Sequence, residues 1–197
     1  GGNVYNWTAS PIDPSLTNTT SDSPTVSPTQ TTTYTVTSST STTQNLIFNG
    51  DFSIGNTGFT TDYFYTPSNP SGGQKIYTIA TNSQGWFSPF SNCFDHTTGS
   101  GNMMIVDGST SNGGNDKVWC QTVSVLPGQN YTISYWVQTI ALPNPANIEV
   151  LINGVSVGQA FAPSTTCSWV QRSYTWNAGA NTNAEICIYD RVITANG

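Results

Sequence analysis

Charge is scarce in this 197-residue chain: Asp, Glu, Lys and Arg together make up 7% of it. Four Lys plus Arg stand against ten Asp plus Glu, for a formal net charge of −6. Such a chain repels a phosphate backbone and has no basic stripe from which to release counterions, which excludes nucleic acid as a partner. Long apolar runs are also missing. A run such as "MMIV" at 103–106 falls far short of the about 20 residues that carry a helix across a bilayer. No membrane span is expected. No cationic stretch followed by an apolar core occurs at Gly1, so any secretion signal is expected upstream or already removed. His96 is the single histidine and no CxxC pair occurs, which disfavours zinc. The strong helix formers Lys, Glu and Arg are few, which argues against helices.

What the chain does have is Thr, Ser, Asn, Gly and 12% aromatics, a mixture that favours short strands joined by turns. Alternation and turn signals predict strands at 46–48, 74–81, 102–107, 117–125, 130–139, 147–153, 168–176 and 184–190. Eight strands and no credible helix imply an all-β jelly-roll β-sandwich. Because side chains alternate faces, Val123, Val125, Tyr131, Ile133, Tyr135, Val137, Ile148, Val150, Ile152, Tyr174, Trp176, Ile186 and Ile188 are expected to form the core. Arg172 falls on that inward parity. A cation there must sit near a sheet end, stack on an aromatic or pair with an acid.

Residues 1–37 contain no cysteine and are dense in Thr, Ser and Pro. Within them Thr33–Thr37 alternates as a strand with Tyr34 and Val36 inward, and a Ser/Thr-rich linker is expected at 38–44. The pattern "YNWTAS…SPTVSPTQTTTYTVT" resembles the second half of an immunoglobulin-like or PKD-like module, so residues 1–37 read as a partial module. So few strands bury too little to close a sandwich unaided.

Four cysteines, Cys93, Cys120, Cys167 and Cys187, fit two disulfides in an oxidising compartment. By parity Cys167 and Cys187 both point away from the core, and they would face each other if their strands formed a hairpin turning near Asn177. That reading pairs Cys167 with Cys187 and Cys93 with Cys120, though four cysteines permit three connectivities and the other two stay open.

The segments "LIFNGDFSIGNTGFTTDYFY", "DHTTGSGNMMIVDG", "VWCQTVSVLPGQNYTISYWV" and "CSWVQRSYTWNAGANTNAEICIYD" follow in order. Together they resemble galactose-binding-like carbohydrate-binding modules of secreted adhesins and glycoside hydrolases of Bacteroidetes-type bacteria; the second also resembles MAM domains. The resemblance covers residues 45–197 and implies a jelly roll. It also implies a structural calcium at the loop after the first strand, where the family commonly has Asn-Gly-Asp-Phe-Glu. Here Ser53 holds the glutamate position, so Asp51 would need help from Asp95, Asp107 or residues beyond Gly197. Without a cation, Asn49-Gly50-Asp51 is a turn. The family usually finishes with one more strand after "ICIYD"; its absence here predicts a fragment of a longer protein or a subunit completed by strand donation in a homo-polymer.

Asp95 and His96 are adjacent and on a strand would face opposite ways, so they make a poor base and orienter. No GxSxG or activated cysteine is present, and Asp62, Asp107, Asp116, Glu149, Glu185 and Asp190 are scattered without a glycosidase pattern. No enzyme is expected. Sugar binding needs exposed aromatic faces with planar polar neighbours. The candidates are Tyr63, Tyr65, Trp86, Phe87, Trp136 and Tyr189, with Gln138 and Gln171 as polar partners. The sequence therefore reads as a non-catalytic extracellular module that binds a polysaccharide or glycoconjugate at a cell surface, flanked by neighbouring modules. The alternative is a structural repeat of a stalk or fibre with no small ligand.

Overall fold

The computed structural model describes residues 3–40, 44–69 and 71–192. The chain divides into two compact units, Gly1–Asn45 and Leu46–Gly197. Of the expected linker, residues 41–43 lie outside the described residues, while Ser38–Thr40 belong to a strand.

In the first unit β1 (Asn3–Ser10) and β2 (Thr33–Thr40) pair antiparallel, Asn3 opposite Thr40 and Ser10 opposite Thr33. Alternation half-buries Tyr5, Trp7 and Ala9. The Trp7 backbone N–H donates to the Thr19 carbonyl and its indole N–H to the Ser21 carbonyl. Asp13 accepts from the Ser15 amide and hydroxyl and from the Tyr34 hydroxyl. Tyr34 is half-buried as its parity predicts. Val36, expected inside, remains 42% exposed, because a lone ribbon under one loop cannot enclose both members of the Trp7–Val36 pair.

The second unit is an all-β sandwich. One sheet runs β6-β11-β8-β9 and the facing strands pair as β10-β7. Their spans are β6 Lys117–Ser124, β7 Asn130–Val137, β8 Asn147–Ile152, β9 Val155–Phe161, β10 Val170–Asn177 and β11 Asn183–Asp190. Between them Trp119, Val123, Val125, Val150, Ile152 and Ile186 are buried, with Tyr131, Ile133, Tyr135, Tyr174, Trp176 and Ile188 partly so. The period-2 reading found most of this core; it did not name Trp119, and Val137, expected in it, is half-buried outside the cluster. Arg172 does lie inward at a sheet end, where its guanidinium donates to the Phe161 carbonyl rather than to an acid.

A third sheet orders β3 (Phe64–Tyr65), β4 (Ile76–Ala80) and β5 (Met103–Asp107), with β3 parallel to β4. Strand β5 is buried on both faces: Met104 and Val106 pack with Tyr63, Tyr77 and Val118, while Met103 and Ile105 pack with Trp86 and Phe90. The cover on that second face is the 82–94 segment. It contains a four-residue helix, α1 (Ser83–Trp86), capped by the Asn82 side chain, which accepts from the Gly85 N–H. No helix was expected there.

Three strand readings need correction, the first being the short β3, which was not expected. Residues 46–48 are not a strand, because the Gln121 side chain takes the place of a neighbouring ladder. Its Oε1 accepts from the Phe48 N–H at 2.8 Å and its Nε2 donates to the Phe48 carbonyl at 3.0 Å. Strand β9 was missed, since Gly158 interrupts its alternation.

The disulfides also differ from the expected pairing: they join Cys93 to Cys167 and Cys120 to Cys187. Strands β10 and β11 lie in different sheets and form no hairpin. Cys167 precedes β10, in a turn at φ 58°, so strand parity does not govern it. Cys187 instead stands directly opposite Cys120 on β6.

Candidate functional site

The opening loop is built by Asn49, not by the carboxylate beside it. Asn49 is buried; its Nδ2 donates to the Gly55 and Thr57 carbonyls at 2.9 and 2.8 Å, and its Oδ1 accepts from the Ile54 N–H at 3.0 Å. Asp51 is exposed and its Oδ1 accepts from the Ser53 amide and hydroxyl. These bonds hold its carboxyl below the usual carboxylate range. Asp95 faces the amides of Thr97, Thr98 and Gly101 and the Thr98 hydroxyl. Those donors, the Thr98 amide foremost, lower its pKa too. Asp107 is buried at the end of β5, and burial pushes its carboxyl up. Among the described residues no three His, Cys, Asp or Glu side chains converge. The carboxylates of Asp51 and Asp95 each face N–H and O–H donors of their own loops.

The aromatic candidates scatter. Tyr63 and Trp86, expected at the surface, are each 5% exposed. Tyr63 packs with Tyr77 and Val118. Burial, then the charges of Asp190 and Asp116, push its hydroxyl pKa up. Trp86 packs in the second cluster with its indole N–H on the Thr66 carbonyl. Phe87 is half-buried, edge-on to Phe90. A large ring gains more from burial than from solvent: Trp86 and Phe87 belong to the cover over one face of β5, and Tyr63 packs on the other. Tyr65 is exposed on β3, edge-on to Tyr77. Tyr189 is half-buried beneath the Arg191 guanidinium, 4.4 Å from the ring centroid.

Trp136, Gln138 and Gln171 do come together. Trp136 is 42% exposed on β7, and Gln171 faces it across the ladder. The imidazole of His96 lies flat on the indole, centroids 3.6 Å apart and planes 19° from parallel, with Trp169 edge-on to His96 at 6.0 Å. Gln138 and Trp169 both donate to the Phe94 carbonyl, at 3.2 and 3.0 Å. Gln138 is thus occupied in positioning. Beyond Trp136 the exposed face of β7 and β10 carries the opposed pairs Ser134–Ser173, Thr132–Thr175 and Asn130–Asn177. The patch is aromatic at one end and amide or hydroxyl along its length, with no charged side chain on that face. His96 and Trp169 were missed as members. Strand parity places Trp136 outward, but both others sit on loops, where no period applies. A separate concavity of about 430 Å³ is lined by Leu46, Phe48, Gly58, Gln121, Thr122, Val123 and Ser124. It lacks a stacking indole.

No protein-family model matches the chain, and no curated protein matches it. Among solved structures, the enzymatically active domain of bacteriophage CBA120 tailspike protein 4 is similar with a TM-score of 0.47 and 16% identity. The match covers 77% of this chain and 20% of that one, so the chain spans a fifth of the tailspike's length. A CBM4 structure is similar with a TM-score of 0.35 and 16% identity, over 77% of this chain and 99% of that one.

Proposed function

We propose that the second unit is a non-catalytic carbohydrate-binding module of an extracellular protein, taking an uncharged glycan on the exposed face of β7 and β10. The observation that carries this reading is Trp136: an indole left 42% exposed beside Gln171, at the end of a ladder of hydroxyls and amides. An exposed ring offers its face to the C–H side of a sugar, and planar amides and hydroxyls exchange hydrogen bonds with sugar hydroxyls. Absence of charge from the face favours a neutral polysaccharide over an acidic one. Two disulfides support an oxidising, extracellular setting. An adhesive role at a cell surface follows if the bound glycan belongs to a surface.

The Asp95 carboxylate is turned to backbone amides, and His96 to Trp136, so the pair acts as scaffold. Affinity electrophoresis of the whole chain through gels containing neutral polysaccharides tests the reading. Retardation by at least one, abolished in Trp136→Ala, is expected. No retardation in any gel would favour the spacer of a stalk or fibre instead.

A further inference from the structure

We propose that the Cys93–Cys167 disulfide is the clamp that assembles the aromatic site, acting on two loops and not on the sandwich beneath them. The bridge ties residues 74 apart in sequence, with Cα atoms 4.9 Å apart. Cys93 is fully buried and runs directly into Phe94, Asp95 and His96. Cys167 is exposed and lies two residues before Trp169. Residues 91–102 and 162–165 carry no strand or helix; their backbone links are local, with Ser91 N–H on the Ile140 carbonyl, Ala162 N–H on the Ala146 carbonyl and Thr166 bridged to Thr139.

Each loop has anchors of its own, Ser83 bonding to Cys93, Thr139 to the Pro163 carbonyl, and Trp169 packing on the Trp86 and Phe90 cluster; the ties from one loop to the other run through Phe94 and the His96 stack. The Phe94 carbonyl takes the Trp169 and Gln138 donors. The Cys167 N–H donates to the Thr139 carbonyl. The bonds of Asp95 stay within its own loop, reaching only Thr97, Thr98 and Gly101. They shape that loop without fastening it to β7. Cleaving the bridge frees Trp169 from Phe94 and lets His96 leave Trp136. The second disulfide differs in kind. Cys120 and Cys187 face each other on paired strands, with Ile186 opposite Gln121 and Ile188 opposite Trp119 on either side. There the ladder fixes the geometry with or without sulfur.

The bridge is also the accessible one, since Cys167 is exposed while Cys120 and Cys187 are each 3% exposed. A dithiol reductant supplies two electrons and two protons. Its thiolate attacks the Cys167 sulfur and expels the Cys93 thiolate, which is then protonated; its second thiol closes on the first and releases Cys167 as a thiol. Two protein thiols and one cyclic disulfide of the reductant result.

His96 is the single histidine, so its imidazole C–H signals in a proton NMR spectrum need no assignment. Stacked on an indole face, they are displaced upfield. In Cys93→Ser/Cys167→Ser the displacement is expected to be lost while the dispersed amide spectrum persists. Native protein treated with dithiol until peptide mapping shows only Cys120–Cys187 intact is expected to do the same. An undisplaced imidazole in the parent, an unmoved one in the variant, or collapse of the amide spectrum overturns the clamp; collapse would make the bridge a prop of the whole sandwich. The clamp's link to sugar rests on the glycan reading above, and the two fail separately. An imidazole released in a protein that never bound polysaccharide leaves the clamp standing and removes the glycan.

Discussion

Gly158 of β9 lies against the ring of Tyr174 on β10 so closely that a Cβ at Gly158 would stand 2.1 Å from Cε1. Real Cβ atoms do not approach that near, and the obstacle is the ring itself, not a flexible tip. Gly158→Ala is therefore expected to lower unfolding free energy by about 1–3 kcal/mol through overpacking. Denaturant melts of the double-mutant cycle check it: in a Tyr174→Ala background the cost of Gly158→Ala should nearly vanish. Equal cost in both backgrounds would place the strain elsewhere.

Two tryptophans separate stability from binding. Trp86→Ala empties a buried site and is expected to cost about 3–5 kcal/mol. Trp136→Ala removes an exposed ring and one stacking partner, a loss of no more than about 1.5 kcal/mol. Chemical denaturation of both variants decides this, and similar losses would contradict the burial seen for each.

Two carboxylates titrate in opposite directions. Burial pushes Asp116 up, but the Lys75 ammonium at 2.8 Å, with Ser109, Asn112 and Ser111, overrides it and holds the carboxyl at about 2. With the folded value below the ordinary 3.8, its stabilisation is complete above that pH and is lost as pH falls toward about 2. Asp190 is the reverse. Burial outweighs the Val192 and Asn147 amides and raises its pKa, so its contribution is full below 3.8 and is lost as pH rises through the folded value. Both amides donate to Oδ1 of Asp190, an acceptor that asparagine keeps. Asp190→Asn is expected to raise the melting temperature at pH 7 and to give no gain at pH 3. A gain at pH 3 equal to that at pH 7 would rule out titration as its source.

Around Asp51 the loop is closed by side-chain amide bonds, so excess chelator is expected to leave the melting curve unchanged. Asn49→Ala, which removes two donors and an acceptor from a buried site, is expected to cost about 1–3 kcal/mol. A lower melting temperature in chelator, restored by calcium, would return a cation to this loop through mass action.

The sequence by itself determined what depends on period and composition. Alternation placed Val123, Val150, Ile152 and Ile186 inward and Trp136 outward, because a strand's side chains change face at every residue whatever the strand lies beside. The shortage of charge and of helix formers likewise pointed to an all-β chain. Tertiary structure decided whatever depends on which strands and loops become neighbours. Strands β10 and β11 pass into different sheets, and that alone redirected Cys187 to Cys120 and left Cys167 for Cys93. Trp86 and Tyr63 went inside because they pack on opposite faces of β5, a packing no local pattern encodes. His96 reached Trp136 for the same reason. Loops have no period, so their side chains find partners only through the contacts that fix their ends.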